Sequence, residues 1–291
     1  MLDKKFFVGI KDTFVSFRLS DWLICASMIL MFAKTFYRLS FLGWPTADYT
    51  HSYFIVPISI IIIWLKRDQL KRYDGVNASG IALFILAIFI FLFSTLNEFM
   101  FLEAASFVIM MWAIFRLRFT KESFKRIIFP LAYLFFMIPP PGLVIDTITM
   151  PLKNISAFAS FKVLQLLQLP VDLRGVILKV KDHELLIADA CSGFRSIVTL
   201  LSLGAVYVYF QDLSLKKKWF VFSCIVPLAV FANIFRISLT GVFSYYFGHE
   251  FAEGFFHEAS GLVLFVITVL GLMWLVDVMY HLMGKKKKND K

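Results

Sequence analysis

The chain has little of what a soluble enzyme of its length would contain. Charged residues make up only 17% of the 291 residues, whereas 59% are hydrophobic and 35 are Phe. This composition excludes a soluble domain of useful size, because too few polar residues remain to cover one. Long apolar runs between short clusters of charge are typical of a helical protein with several membrane spans.

Cysteine is also scarce, and the sequence motifs of several enzyme classes are missing. The three cysteines are an odd number, which argues against a disulfide framework. The sequence has no His-Glu-x-x-His metal motif, no Gly-x-Ser-x-Gly elbow and no glycine-rich phosphate loop. Cys191 has no second cysteine at the spacing of a zinc site. We therefore expect neither a metal nor another cofactor.

The apolar runs predict an all-α polytopic membrane protein with about eight transmembrane helices, treated as a single integral membrane domain over residues 1–291. The N-terminal run lacks a signal-peptide cleavage site and is interpreted as a retained span. The predicted spans are 22–42, 53–65, 80–96, 99–115, 127–139, 192–210, 219–236 and 256–280.

The net charge of +10 is explained by topology better than by a nucleic-acid partner. Lys and Arg concentrate in alternate loops, and that excess marks cytoplasmic segments. Both termini, including the basic tail 285–291, are therefore expected in the cytoplasm.

One extracytoplasmic loop, 140–190, is long enough to fold at the membrane surface. It begins at a run of three prolines, Pro139, Pro140 and Pro141, which end the preceding helix. The mixed apolar and polar stretch 143–169 predicts an amphipathic helix at the interface. Short alternating stretches over 171–190 predict a β-hairpin with its turn around 181–184.

Three residues with reactive or charged side chains are predicted at the same depth, near the outer face of the membrane. Cys191 opens the sixth span, Arg236 closes the seventh and His257 opens the eighth. A cysteine at a helix N-terminus has an enlarged thiolate fraction, and histidine exchanges protons near neutral pH. The guanidinium fits the stabilisation of an oxyanion or the binding of a substrate carboxylate.

Each residue also has a structural interpretation. A cysteine in an apolar helix is often a small buried residue, as expected of Cys25 and Cys224. Arg236 can instead reach toward the lipid headgroups, and His257 can be an interfacial residue without a catalytic role. Arg195 shares a helix face with Cys191 and can stabilise a thiolate or anchor the helix. His183 and His51 are alternative bases, more often solvated loop residues.

The chain resembles the exosortase and archaeosortase family of membrane-embedded sorting enzymes. The residues that carry the resemblance are Asp48-Tyr49-Thr50-His51 with Pro57 and Trp64, Phe129-Pro130, Met137 to Pro141, Ala190-Cys191-Ser192-Gly193, Asn233-Ile234-Phe235-Arg236-Ile237, and His257 with Gly261. The resemblance implies that Cys191 is the nucleophile and that Arg236 and His257 are its partners. Ser192, Arg195 and Asn233 are possible auxiliary residues. The histidine at 257 favours the bacterial branch, in the inner membrane, with the active site at the outer face.

The resemblance also implies a substrate class. Family enzymes act on membrane-anchored proteins with a C-terminal tripartite signal: a short motif, often Pro-Glu-Pro, then a hydrophobic helix and a basic cluster. The expected reaction is cleavage through a thioester and transfer to an acceptor that the sequence does not identify. Hydrolysis is the nearest alternative. A non-enzymatic scaffold or transporter in envelope polysaccharide assembly is the alternative from another class.

Overall fold

The structure, a computed structural model, describes residues 19–46, 49–73, 75, 77–181, 183–186, 194–248 and 255–282. Most of these residues are helical, as the sequence predicts. The described residues fall into two units, one within Met1–Gly43 and Gly75–Leu117 and the other within Trp44–Asp74 and Arg118–Lys291.

The first unit is built from helices that pack through aromatic side chains. Phe32 is fully buried, and its ring meets those of Phe91 and Phe107 edge-on at centroid distances of 5.0 and 5.2 Å. Edge-to-face contacts of this kind are the favoured aromatic geometry. The helices are α1 (Leu19–Arg38, extended by a π-helical turn over Leu39–Gly43), α3 (Ala78–Leu96) and α4 (Met100–Arg118).

The second unit contains the remaining helices and a small sheet. Its helices are α2 (Ser52–Leu65), α5 (Lys121–Tyr133), α6 (Gly142–Leu166), α7 (Phe194–Phe210), α8 (Leu215–Phe247) and α9 (Phe255–Leu282). Helix α8 is central, because α6, α7 and α9 each pack along it. Its contacts with α7 and α9 form an apolar core that includes Val221, Ile225 and Leu272.

The proline run ends a helix, as the sequence predicts. Helix α5 closes in a 3₁₀ turn over Leu134–Met137, and α6 starts at Gly142 after a bend of 89°. Prolines cannot donate the amide hydrogen bonds that a continuous helix would need here. The amphipathic helix expected over 143–169 is present as α6, and its position at a membrane interface stays a prediction.

The sheet is larger than expected. Instead of one hairpin, β1 (Val171–Arg174), β2 (Ile177–Val180) and β3 (His183–Leu186) form a three-stranded antiparallel sheet. The turn after β2 begins within the predicted stretch 181–184, but His183 and Glu184 belong to β3 and are not at the tip of a hairpin. The added turn, between β1 and β2, contains Gly175 at φ +63°, a conformation that glycine adopts without the steric cost of a side chain.

The count of eight spans is not confirmed. Among the described residues, four helices are long and apolar enough to cross a membrane, and five if the bent pair of α5 and α6 forms one span. The other predicted spans correspond to shorter apolar helical stretches. They do not count as spans here, because a perpendicular crossing needs about 20 residues. These stretches are Ser52–Leu65, Ile197–Phe210 and Phe265–Met279.

The predicted end of the seventh span at Arg236 is wrong as a helix boundary. Helix α8 continues through Arg236 to Phe247 and stops at Gly248, whose φ is +89°. No proline or glycine pair interrupts the segment after Arg236, so the backbone has no local reason to leave the helix earlier. The predicted basic tail, 285–291, lies outside the described residues.

Candidate functional site

Helices α6 and α8 approach closely because small side chains line their contact. A Cβ atom added to Gly241 of α8 would lie 2.6 Å from Leu164 Cδ1 of α6, so any larger residue there would require the buried Leu164 side chain to move. Ala157 is fully buried in the same contact. Ser160 Oγ donates a hydrogen bond to the main-chain oxygen of Ile234 at 3.1 Å. The backbone of α8 is therefore held close to α6 both before and after Arg236.

A chain of buried polar groups crosses this contact to Arg236. Ser156 of α6, Asn233 and Arg236 are 1%, 5% and 8% exposed. Arg236 Nη2 donates to Asn233 Oδ1 at 2.8 Å, and Asn233 Nδ2 donates to Ser156 Oγ at 3.1 Å. Two hydrogen bonds thus link three buried polar side chains and offset part of the cost of removing them from water.

The direction of this chain follows from the chemistry of its groups. A guanidinium only donates hydrogen bonds, so it must face the oxygen of the Asn233 amide. The amide nitrogen is then turned toward α6, where Ser156 accepts its hydrogen. Asn233 and Arg236 are three residues apart and share a face of α8, whereas Ser156 comes from another helix. The orientation of the guanidinium therefore depends on the packing of α6.

Arg236 borders a cleft between three helices. The cleft is small, with a cavity volume of about 20 Å³, and it is partly open to the surroundings. Its lining is mostly apolar and includes three polar side chains, and such a combination is common where a few polar groups fix the orientation of a ligand. The lining residues are Leu200 of α7, Ala229, Ala232, Asn233 and Arg236 of α8, and Gly261, Phe265 and Thr268 of α9.

Gly261 brings the backbone of α9 beside the guanidinium. A Cβ atom added there would lie 3.6 Å from Arg236 Nη1, and this is an ordinary van der Waals contact. Alanine would fit, but a longer side chain would extend toward Arg236 or into the cleft. Glycine therefore keeps the space beside Nη1 open.

The structure brings together only part of the predicted set. Arg236 and Asn233 are joined by a hydrogen bond, as described above. Cys191 and Ser192 lie outside the described residues. Arg195 is placed in α7 and His257 in α9 by their backbones, and their side chains lie outside the described part of the structure. The convergence of Cys191, Arg236 and His257 therefore stays a prediction.

The alternative histidines differ in position. His183 begins β3 and pairs with Val180, and its side chain is likewise outside the described part. His51 was expected to be a solvated loop residue, but it is half-buried, with its ring centroid 5.9 Å from that of Tyr49. Before the start of α2, Trp44 packs edge-on against Tyr53 at a centroid distance of 5.1 Å, and its Nε1 donates to Met137 O at 2.8 Å.

Sequence reasoning missed Ser156 as a member of the site. The usable signal is the run Ser156-Ala157 with Ser160 one turn later, a stripe of small residues within the amphipathic helix. Small residues at helical spacing mark close helix contacts in membrane proteins. The helix that this stripe contacts cannot be read from its own periodicity.

The comparisons with known proteins agree with a multi-pass helical membrane protein. Within the described ranges, no group of three or more His, Cys, Asp or Glu is placed to hold a metal ion. The family model described as transmembrane exosortase (Exosortase_EpsH) matches residues 43–274. The chain belongs to this transmembrane exosortase family. No curated protein and no solved structure matches it.

Proposed function

We propose that the chain is a cysteine transpeptidase that cleaves C-terminal sorting signals of membrane-anchored proteins at the outer face of the membrane. Family membership supports an exosortase-type activity in general. The observation that carries the finer proposal is the cleft beside Arg236, because α7, α8 and α9 all line it. Each of these helices is linked to one proposed catalytic residue. Cys191 lies just before α7 in the sequence, Arg236 lies within α8, and His257 lies in the first turn of α9.

The arrangement of α7 and α9 supports bringing Cys191 and His257 toward Arg236. Cys191 precedes the first residue of α7 by three positions in the sequence. His257 precedes Gly261 by one helical turn in α9, so the two positions share a helix face. Because Gly261 abuts the guanidinium, a residue one turn earlier on that face is well placed to act next to it.

The proposed reaction starts with attack of the Cys191 thiolate on the scissile carbonyl carbon. His257 first takes the proton of the Cys191 thiol; a carbon–sulfur bond then forms, the carbon–nitrogen bond breaks, and His257 gives that proton to the departing amine. The resulting thioester is resolved when an acceptor nucleophile attacks the same carbon and releases the thiolate. With water as the nucleophile, the result is hydrolysis.

Arg236 would stabilise the oxygen on which negative charge develops. Asn233 and Ser156 hold its guanidinium in place before the substrate arrives, so little reorganisation is needed during the reaction. Preorganised donors of this kind usually contribute about 10²-fold to 10³-fold to the rate.

The test is processing of a reporter that carries a tripartite C-terminal signal. Cells express the wild-type chain, Cys191→Ala or Cys224→Ala, with membrane abundance measured for each. Cys224 is the matched control because it is a half-buried cysteine in α8 of the same unit. We expect Cys191→Ala to abolish processing and Cys224→Ala to retain it.

Normal processing by Cys191→Ala would overturn the cysteine mechanism and favour a scaffold or transporter. The mass of the new C-terminus separates the two forms of the reaction. Addition of an acceptor group indicates transfer, whereas a free carboxylate indicates hydrolysis.

A further inference from the structure

One end of the second unit is strongly basic. It is formed by the segments 66–72, 118–126 and 211–218, which join or begin helices α2, α5, α7 and α8. Together they contain eleven lysines and arginines and three acidic residues, Asp68, Glu122 and Asp212. An excess of positive charge at one end of a helical membrane protein is common. The arrangement of two of these lysines is more specific.

The ammonium groups of Lys66 and Lys218 converge on one aromatic ring. Lys66 Nζ is 4.8 Å and Lys218 Nζ 5.7 Å from the centroid of Tyr209. Phe129 stacks on Tyr209 at a centroid distance of 3.9 Å and covers one of its faces. Side chains from α5, α7, α8 and the end of α2 therefore fix two positive charges beside one another.

Both lysines are anchored by main-chain oxygens. Lys66 Nζ donates to Arg126 O at 2.9 Å, and Lys218 Nζ donates to Tyr209 O at 2.6 Å. Among the described residues, no carboxylate lies within 4.0 Å of either ammonium group. Asp212 attracts Lys218 from a greater distance, whereas Lys66 repels it.

This geometry favours an anion with several acceptor oxygens. Both lysines are half-buried, so water screens their mutual repulsion less than at an open surface. Each ammonium group has three donors, one of which is used by a main-chain oxygen. A phosphate group can accept hydrogen bonds from both ammonium groups at once and neutralise their charge.

The surroundings of the lysine pair indicate the source of the phosphate. Large apolar side chains at the same end are more than half exposed and can contact acyl chains. They are Leu65, Phe210, Leu215, Trp219 and Phe220. Aromatic residues next to lysines are typical of the region where a helix meets lipid headgroups. A free phosphate ion would make no use of these side chains.

We propose that Lys66 and Lys218 together bind the phosphate group of an anionic phospholipid, with its acyl chains against the exposed apolar residues. The site is independent of the proposed peptide chemistry, and its test needs no substrate. The proposal predicts that the protein retains an anionic phospholipid in preference to a zwitterionic one of the same chain length.

The test is lipid binding by the purified full chain in a neutral detergent, measured by native mass spectrometry with phosphatidylglycerol or phosphatidylcholine. We expect Lys66→Gln/Lys218→Gln to weaken phosphatidylglycerol binding by about thirtyfold, the effect of two lysines near an anionic headgroup. Phosphatidylcholine binding should not change.

A charge-matched variant distinguishes specific binding at the lysine pair from general electrostatic attraction by the basic end. Lys121→Gln/Lys125→Gln removes the same charge from exposed positions on the same face, and we expect about a threefold loss or less. An equal loss in the two double variants would overturn the site. So would displacement of phosphatidylglycerol by an equimolar amount of inorganic phosphate, because the ligand would then be the free ion.

A further double variant and an unfolding measurement show whether a loss of binding is caused by misfolding. Lys66→Arg/Lys218→Arg keeps both charges and should retain binding within about threefold, since arginine also binds phosphate. The thermal unfolding midpoint of each variant in phosphatidylcholine shows whether the fold is kept. If the glutamine pair unfolds, the single variants Lys66→Gln and Lys218→Gln replace it. Unchanged phosphatidylglycerol binding in both would overturn the proposal.

Discussion

Two arginines lie within apolar helices, one in each unit, and they are held in different ways. Arg38 Nη1 lies 3.4 Å from Glu103 Oε2, and its Nη2 donates to Glu98 O at 3.1 Å. Arg236 donates to the neutral amide oxygen of Asn233. A carboxylate partner neutralises a guanidinium as well as orienting it, whereas an amide orients it without adding a charge of its own.

The two arginines also differ in what surrounds them: a buried carboxylate lies beside Arg38, whereas a cleft lies beside Arg236. Glu103 is 1% exposed, so its carboxylate depends on Arg38 for charge compensation. Arg236 borders a cleft, and its position is set by side chains from two helices. The comparison separates an arginine that compensates a buried carboxylate from one that borders a cleft and for which we propose a role in catalysis.

The largest expected effect is on processing by Arg236→Lys. Lysine keeps the charge but loses the planar set of donors, so it cannot hold Asn233 and an oxyanion in the same geometry. We expect reporter processing to fall by about 100-fold or more at equal membrane abundance. The matched substitution Arg38→Lys should leave processing within about twofold, because an ammonium group can still pair with Glu103. Equal losses in both variants would erase the distinction between the two arginines.

The next effect concerns stability and Glu103→Ala. Removal of the carboxylate leaves the charge of Arg38 uncompensated, and partial exposure of Arg38 limits the cost. We expect the free energy of unfolding to fall by about 2 kcal/mol, measured by denaturant titration in mixed micelles.

The double variant Arg38→Met/Glu103→Leu replaces both charges with apolar groups and should recover most of this loss. A double variant that is less stable than Glu103→Ala would show that the ion pair itself, rather than charge compensation, stabilises the unit. Glu122→Ala, at an exposed position of α5, serves as the control for loss of a single carboxylate.

Much of the helical architecture is predictable from the sequence because it is local. Apolar runs, the proline run before α6 and the turn after β2 are encoded within a few residues of where they act. The pairing of Asn233 with Arg236 is also local, since residues three apart share a helix face. The length of α8 was misjudged because Arg236 was taken as a boundary, although a charged residue does not end a helix.

The contacts between distant segments are not predictable in this way. Ser156 lies 77 positions before Asn233, and Arg38 lies 65 positions before Glu103. Helical periodicity identifies a face of small or polar residues but not the helix that covers it. The close approach of Gly241 to Leu164, which brings Ser156 within reach of Asn233, is a property of packing.

The smallest effect tests whether α6 positions Arg236. Ser156→Ala removes the acceptor of Asn233 Nδ2 and leaves the amide free to rotate, so the guanidinium loses its fixed direction. We expect kcat to fall by about fivefold, equivalent to about 1 kcal/mol for one hydrogen bond, with little change in KM. Ser160→Ala is the control, since Ser160 makes a hydrogen bond of the same length between the same two helices but bonds to a main-chain oxygen. If both variants lower kcat equally, Ser156 contributes to helix packing alone; if only Ser156→Ala does, α6 controls the orientation of Arg236 through Asn233.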